Sequence, residues 1–233
     1  MSIRKKSELE TLISDIHTYY VNYHSREIYL HSAYSSDENT GEPGVEYRMA
    51  TTFVKNLHVL QNQAISSVLV HMHSIGGEWT DGMAIFNAIR FAPSPVTIVA
   101  YAQASSMTGV ILQSADKRIL APDCEFMLHH GSISMSATSP AAKSAIDVNE
   151  RQCRRMVEIF ARRAVKSSKF FKDKNFTEAK VKAFIQKKIE TKTDWYLPAE
   201  EAVFYGFADG IFGAKGFETL ERLRCTTKFK GIL

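Results

Sequence analysis

The sequence has little of what would tie a chain to a membrane, a metal ion or a disulfide framework. Its three cysteines are scattered over 233 residues without the close spacing of a zinc site. The longest mainly apolar runs, residues 96–102 and 108–112, fall far short of the roughly 20 residues that a membrane span needs. The basic first six residues lead into no apolar segment with a cleavage site. We therefore expect a soluble, cytoplasmic protein without a membrane anchor, a metal or a cofactor.

Charge is unevenly distributed along the chain. The formal net charge is +4, but residues 151–192 carry 14 lysines and arginines against four carboxylates, so the rest of the chain is net acidic. A basic surface of this size could bind nucleic acid or an acidic partner. Because the basic residues alternate with apolar ones at helical spacing, we favour a solvated helix face and expect no nucleic-acid partner.

Apolar periodicity predicts one α/β domain with a mainly parallel sheet, since strand and helix patterns alternate along the chain. Residues 34–44 have no apolar period and many turn-forming residues, so we expect an exposed loop there. The predicted strands cover residues 27–30, 66–72, 96–102, 117–120 and 125–128. The predicted helices cover residues 7–20, 45–60, 83–90, 141–164 and 177–190, with one more beginning near Ser106 and a final one after Pro198.

Three short motifs each follow a predicted buried strand. The carboxyl ends of such strands are where open α/β folds place their chemistry, so we expect the three motifs to share a site. A serine, a histidine and a glycine pair in one site suggest acyl transfer. The motifs are Ser74-Ile75-Gly76-Gly77, Gln103-Ala104-Ser105-Ser106-Met107 and Met127-Leu128-His129-His130.

The serine and glycine motifs each allow two interpretations. Ser106 would stand at a helix N-terminus, where developing negative charge is favoured, but a serine that merely caps its helix fits the segment slightly better. Ser105 is the neighbouring candidate nucleophile. Gly76 and Gly77 can bring a free backbone amide close to a ligand, although a plain tight turn would use the same residues.

The local pattern also does not decide which histidine and which carboxylate belong to the site. His129 and His130 point to opposite faces, so one of them can face the site. His71 and His73 share a face and could bind a metal, but no third ligand is in view, so we disfavour that interpretation. Asp194 is the best carboxylate, expected in a partly buried setting just before a helix, with a simple N-terminal-turn carboxylate as the alternative.

Taken together, the motifs resemble the proteolytic subunit of the Clp protease, the ClpP family. The resemblance covers roughly residues 27–212. The family's Asn-Ser-Pro-Gly-Gly reads His73-Ser74-Ile75-Gly76-Gly77 here, and its Gly-Gln-Ala-Ala-Ser-Met reads Ala102-Gln103-Ala104-Ser105-Ser106-Met107. Its Met-Ile-His-Gln-Pro reads Met127-Leu128-His129-His130-Gly131, and its Asp-Arg-Phe reads Asp194-Trp195-Tyr196.

The resemblance implies a serine endopeptidase with a catalytic triad. It makes Ser106 the nucleophile, His129 the general base and Asp194 the carboxylate that orients the imidazole. The amides of Gly77 and Met107 would stabilise the oxyanion. The resemblance therefore gives Ser105 and His130 no catalytic role.

The resemblance also implies a ClpP/crotonase-like spiral of β-β-α units with a long handle helix. The substrates would be unfolded polypeptides, cut inside a chamber between two stacked rings of a homo-oligomer, a tetradecamer. The family's glycine-rich handle strand is replaced by residues 132–136. The implied divisions are a divergent helical segment over 1–25, a peptidase domain over 26–213 with its handle at about 130–175 and a basic helical insertion at about 172–192, and a tail over 214–233.

Departures from the family pattern keep other functions in view. The first 25 residues and the loop near residue 40 differ where an AAA+ unfoldase would dock, so that partnership is open. One alternative is a dedicated processing protease of a phage or plasmid system. Others are a crotonase-type acyl-CoA hydratase or isomerase and a non-catalytic ring subunit.

Overall fold

A mainly parallel sheet with helices packed against it forms the centre of the protein. The computed structural model describes residues 7–30, 44–131 and 138–229. The strands are β1 Val21–Asn22, β2 Glu27–Leu30, β3 Val68–Ser74, β4 Val96–Ser105, β5 Lys117–Leu120, β6 Glu125–His129, β7 Asp194–Leu197 and β8 Gly210–Ile211. The helices are α1 Glu8–Tyr19, α2 Tyr47–Gln63, α3 Trp79–Phe91, α4 Met107–Leu112, α5 Ser139–Ser167, α6 Lys169–Asp173, α7 Glu178–Lys192, α8 Ala199–Phe204 and α9 Leu220–Leu223.

Strand order brings the strand ends together at one edge of the sheet. The main path runs β1-β2-β3-β4-β5-β8, and all its pairings after the first are parallel. Strand β6 leaves this path: it pairs in parallel with the second half of β4 and antiparallel with β7. The predicted α/β fold with a mainly parallel sheet is therefore confirmed.

Strand β4 is longer than its pattern predicts. It extends to Ser105 rather than to residue 102 because its first half pairs with β5 and its second half with β6. Small residues at the end of β4 therefore stay extended, since each finds a backbone partner on β6. This second pairing carries the chain directly to Ser106.

The core lies on both faces of the sheet. The larger cluster joins the sheet to α2, α3, α4, α5 and α7, and a smaller one on the opposite face consists of Leu69, Val99, Ile119 and Leu223. The helix after Pro198 is not the last, so that prediction is wrong: α9 follows, and its Leu223 is fully buried. Thr97 holds this segment by donating from Oγ1 to the Leu223 carbonyl oxygen at 2.9 Å.

The helices flanking the sheet follow their apolar patterns closely. Helix α1 begins with a capping box between Ser7 and Glu10, yet buries none of its side chains. Helix α5 runs three residues beyond the predicted end, and the short α6, which no pattern indicated, begins at the side-chain cap of Ser168. Helix α7 buries Val181, Ile185 and Ile189 and turns its charges outward, as expected of a solvated helix face.

Some sequence expectations fall outside this description. The predicted loop, apart from Gly44, and the handle-strand segment over 132–136 lie outside the described residues. Within the described parts of the chain, no helix combines the length and apolar character needed to cross a bilayer.

Candidate active site

The turn from β4 into α4 presents Ser106. Its φ of +54° and ψ of −123° form an unusual conformation for a residue with a side chain. The surroundings hold this conformation: the Ser106 amide donates to the Met127 carbonyl oxygen at 2.9 Å, and Thr108 Oγ1 lies within hydrogen-bonding distance of the Ser74 and Ser105 carbonyl oxygens. The Ser106 hydroxyl makes no capping hydrogen bond, so the capping role is not the one it has in this structure.

The two adjacent serines have different surroundings. Ser105 is the last residue of β4 and only 4% exposed. Ser106 is partly exposed and lines a cleft beside the carboxyl ends of the strands. Only the second hydroxyl is therefore placed to meet a ligand.

Strand β6 brings His129 to Ser106. Pairing of β4 with β6 sets Ser105 opposite Met127, so the strand ends two residues later beside the serine turn. The His129 Nε2 lies 2.7 Å from the Ser106 Oγ, which is hydrogen-bonding distance. His130 also lines the cleft, and its carbonyl oxygen accepts a hydrogen bond from the Cys153 Sγ.

Asp194 reaches the imidazole through a strand that no apolar pattern indicated. It is the first residue of β7 and stands directly opposite His129 in the antiparallel register, which sets the two side chains on the same face. The Asp194 Oδ1 lies 3.3 Å from the His129 Nδ1. We expected a partly buried position just before a helix: Asp194 begins the strand that leads to α8, and 46% of its side chain is exposed.

The glycine pair approaches the serine closely. Gly76 has a φ of +106°, and a Cβ added there would lie 2.7 Å from the Ser106 Cβ and 2.8 Å from the Ser105 carbonyl oxygen. Both the conformation and the space therefore require glycine. The glycine segment pairs with Val45 in a parallel bridge and is packed directly against the serine.

Two backbone amides near Ser106 donate to no hydrogen-bond acceptor among the described residues. Val45 holds the glycine segment through two backbone hydrogen bonds. The Val45 amide donates to the Gly76 carbonyl oxygen at 2.6 Å, and the Val45 carbonyl oxygen accepts from the Glu78 amide at 2.8 Å. Among the described residues, the amides of Gly77 and Met107 have no hydrogen-bond acceptor. Both can therefore donate to an oxygen atom of a ligand.

The cleft beside these groups has a volume of about 370 Å³. Its opposite wall is a face of α5, from which four side chains at helical spacing line the cleft: Asn149, Gln152, Cys153 and Met156. The other side chains that line it, apart from those described above, are Glu78, Trp79 and Val110. The sequence analysis singled out neither these α5 residues nor Glu78 and Trp79 as site residues. The available signal was the spacing of the four α5 residues, which follow the first at 3, 4 and 7 positions and so share one face of the helix.

An ion pair between a buried arginine and a partly exposed aspartate lies behind the site. Arg118 is fully buried, and its guanidinium donates two hydrogen bonds to the Asp209 carboxylate, at 3.1 and 2.5 Å, and another from Nη1 to Gln113 at the end of α4. Burial alone would raise the pKa of Asp209, but Arg118 and Arg163 together lower it. The pair ties α4 to the segment after α8 and so supports the helix that follows Ser106.

His71 and the three cysteines are the other side chains weighed for a metal site or a disulfide. His71 stacks between Tyr29 and Tyr101 and lies 3.5 Å from Glu27. The described part of the chain holds no group of three histidine, cysteine or carboxylate side chains suited to a metal ion. All three cysteines are free, and burial raises the pKa of the Cys153 thiol.

Comparison with known proteins gives consistent matches. The family model described as Clp protease matches residues 40–215. The ATP-dependent Clp protease proteolytic subunit 2 of Pseudomonas aeruginosa is 31% identical over 170 residues, which cover 72% of this chain and 77% of that protein. The proteolytic subunit of Leuconostoc citreum is 27% identical over 175 residues, covering 74% and 80%, and that of Deinococcus radiodurans is 25% identical over 175 residues, covering 72% and 76%.

Proposed function

The chain belongs to the Clp protease family, and on that premise we propose that it is a serine endopeptidase that cuts unfolded polypeptides through Ser106, His129 and Asp194. The observation that carries the proposal is the 2.7 Å separation between the Ser106 Oγ and the His129 Nε2. A neutral imidazole at this distance can accept the hydroxyl proton as the oxygen attacks a carbonyl carbon.

The reaction then runs in two halves. Ser106 Oγ forms a bond to the peptide carbonyl carbon while His129 takes its proton, and the resulting tetrahedral oxyanion accepts hydrogen bonds from the amides of Gly77 and Met107. Collapse breaks the peptide bond as His129 gives the proton to the leaving amine. Water, deprotonated by His129, then hydrolyses the acyl-enzyme and restores the serine.

Asp194 acts on the imidazole rather than on the substrate. Its Oδ1 accepts from the Nδ1–H of His129, which leaves Nε2 free to act as the base. The 3.3 Å separation is long for a hydrogen bond, and such bonds tighten when substrate occupies a site.

The proposed assembly follows from family membership. The relatives are named proteolytic subunits, and we propose that this chain likewise forms stacked homo-oligomeric rings whose chamber limits access to unfolded polypeptides. Mass spectrometry of the intact assembly, with and without an AAA+ unfoldase, measures the subunit number and the partnership. A monomer that cleaves peptides would contradict the chamber.

The proposed nucleophile is tested with a fluorophosphonate reagent that labels active-site serines. We expect labelling of the wild type and of Ser105→Ala, and none of Ser106→Ala, whose peptidase turnover should fall by a factor on the order of 10⁴–10⁶. Ser105→Ala is the matched control, because the two serines are adjacent and differ in exposure. A folded wild type that takes up no label, or loss of label in the control, would contradict the proposal.

A further inference from the structure

The residue after the glycine pair places a carboxylate at the cleft. Glu78 lines the cleft beside Ser106, and no other described residue that lines it has an acidic side chain. The remaining lining side chains are apolar, amide, hydroxyl, thiol or imidazole groups. A substrate side chain that enters the cleft therefore meets one fixed negative charge.

This carboxylate has no partner within the described chain. Glu78 precedes α3 but makes no side-chain capping hydrogen bond. Its hydrogen bonds within the described residues are made by its backbone: the amide donates to the Val45 carbonyl oxygen, and the carbonyl oxygen accepts from the Gly82 amide. No ion pair among the described residues includes Glu78. An acceptor left without an internal donor is available to a cation that arrives with the substrate.

The neighbouring side chains suit the rest of a long basic residue. Trp79 offers an aromatic ring, a surface to which an ammonium or guanidinium group is attracted. Met107, Val110 and Met156 supply apolar surface for the methylene stem. Lysine and arginine combine these two parts, whereas an acidic side chain would face the carboxylate with the same charge.

The position of Glu78 along the chain selects the substrate residue that it meets. Gly77, the residue before it, carries one of the amides proposed to hold the oxyanion, and consecutive Cα atoms are about 3.8 Å apart. The side chain on the acyl side of the scissile bond is attached next to the attacked carbonyl. That side chain is the one that the proposal assigns to Glu78.

Resting on the proposed function, we propose that Glu78, together with Trp79, makes this peptidase select substrates with lysine or arginine at the residue whose carbonyl is attacked. Glu78 is a specificity-determining residue and takes no part in proton transfer. The ion pair forms at a solvent-accessible rim, so its contribution is modest and weakens with salt.

The test uses three fluorogenic peptides that differ only at that residue, which is arginine, leucine or glutamate. We expect the wild type to favour the arginine peptide over the glutamate peptide, with a ratio of kcat/KM values that falls as salt is raised. Glu78→Gln should lower the arginine-to-leucine ratio about three- to fivefold. Glu78→Lys should reverse the arginine-to-glutamate order, and Glu78→Asp should retain the wild-type order.

The matched control is Glu125→Gln, an exposed carboxylate at the start of β6 outside the cleft, and it should leave every ratio unchanged. Rates are divided by the fraction of protein that takes up the serine label. A wild type that cleaves the glutamate peptide as fast as the arginine peptide, or a Glu78→Gln ratio within twofold of the wild type, overturns the inference. Absence of both labelling and cleavage in the wild type would instead contradict the proposed function.

Discussion

Asp194 and Asp209 each pair with a nitrogen-bearing side chain, but their surroundings are opposite. Asp194 lies 3.3 Å from His129 in an edge strand, with 46% of its side chain exposed. The Asp209 side chain is 28% exposed and accepts three hydrogen bonds from the fully buried Arg118, two from the guanidinium and one from the backbone amide. Exposed pairs contribute little to stability, whereas an arginine buried without its partner is costly. On the proposed function, Asp194 serves the chemistry and Asp209 serves the fold.

The largest expected effect tests the catalytic side of this comparison. Asp194→Asn should lower kcat about 10⁴-fold, because an amide in place of the carboxylate favours the wrong imidazole tautomer. The unfolding midpoint in urea should stay close to that of the wild type, since the side chain is half exposed. Peptide kinetics and urea unfolding measure the two effects, with Asp123→Asn, another exposed aspartate, as the control. A large fall in the urea unfolding midpoint of Asp194→Asn together with the loss of kcat would contradict the distinction between a catalytic Asp194 and a structural Asp209.

The next effect tests the structural side. Asp209→Asn should lower the free energy of unfolding by about 3 kcal/mol, because Arg118 would keep its charge in the interior without a counter-charge. The folded fraction should still take up the serine label, since Asp209 does not line the cleft. Urea unfolding followed by circular dichroism measures the change. A variant as stable as the wild type would show that the Arg118–Asp209 ion pair is not needed for stability.

The smallest effect concerns acid. Although burial opposes it, Arg118 and Arg163 lower the pKa of Asp209, so the folded protein keeps this carboxylate ionised where the unfolded chain binds a proton. Its contribution to stability is therefore present above the unfolded pKa of about 4 and is lost as pH falls through the lower folded pKa. Urea unfolding between pH 6 and pH 3 should show a shallower decline in Asp209→Asn than in the wild type. If the free energy of unfolding declines equally with pH in the wild type and the variant, Asp209 does not contribute to acid destabilisation.

Local patterns predicted most of the elements that surround the site. Apolar periods located α1, α5 and α7, and β-branched runs located β3 and the first half of β4. The motif resemblance to the Clp protease family is confirmed by the family match. The roles of Ser106, His129 and Asp194 stay predictions, although the structure brings the three side chains together.

Local patterns failed where an element depends on a distant partner. Strand β7 is four residues long and exists because it pairs with β6, far away along the chain. The exposure of Asp194 follows from that pairing, so no period of its own segment could indicate it. The α5 face that lines the cleft shows the same limit, because helical spacing does not say whether a stripe meets a core or a ligand.

The sequence alone determined which chemical groups are present and which follow a strand: a serine, a histidine, a glycine pair and a distant aspartate. It also determined the family, because those groups stand in a specific order and spacing. Tertiary structure alone decided which hydroxyl is exposed, which imidazole nitrogen meets it, and that Glu78 shares the cleft. The physical reason is that side-chain chemistry is a property of each residue, whereas distance and burial depend on strand pairing between segments far apart in the chain.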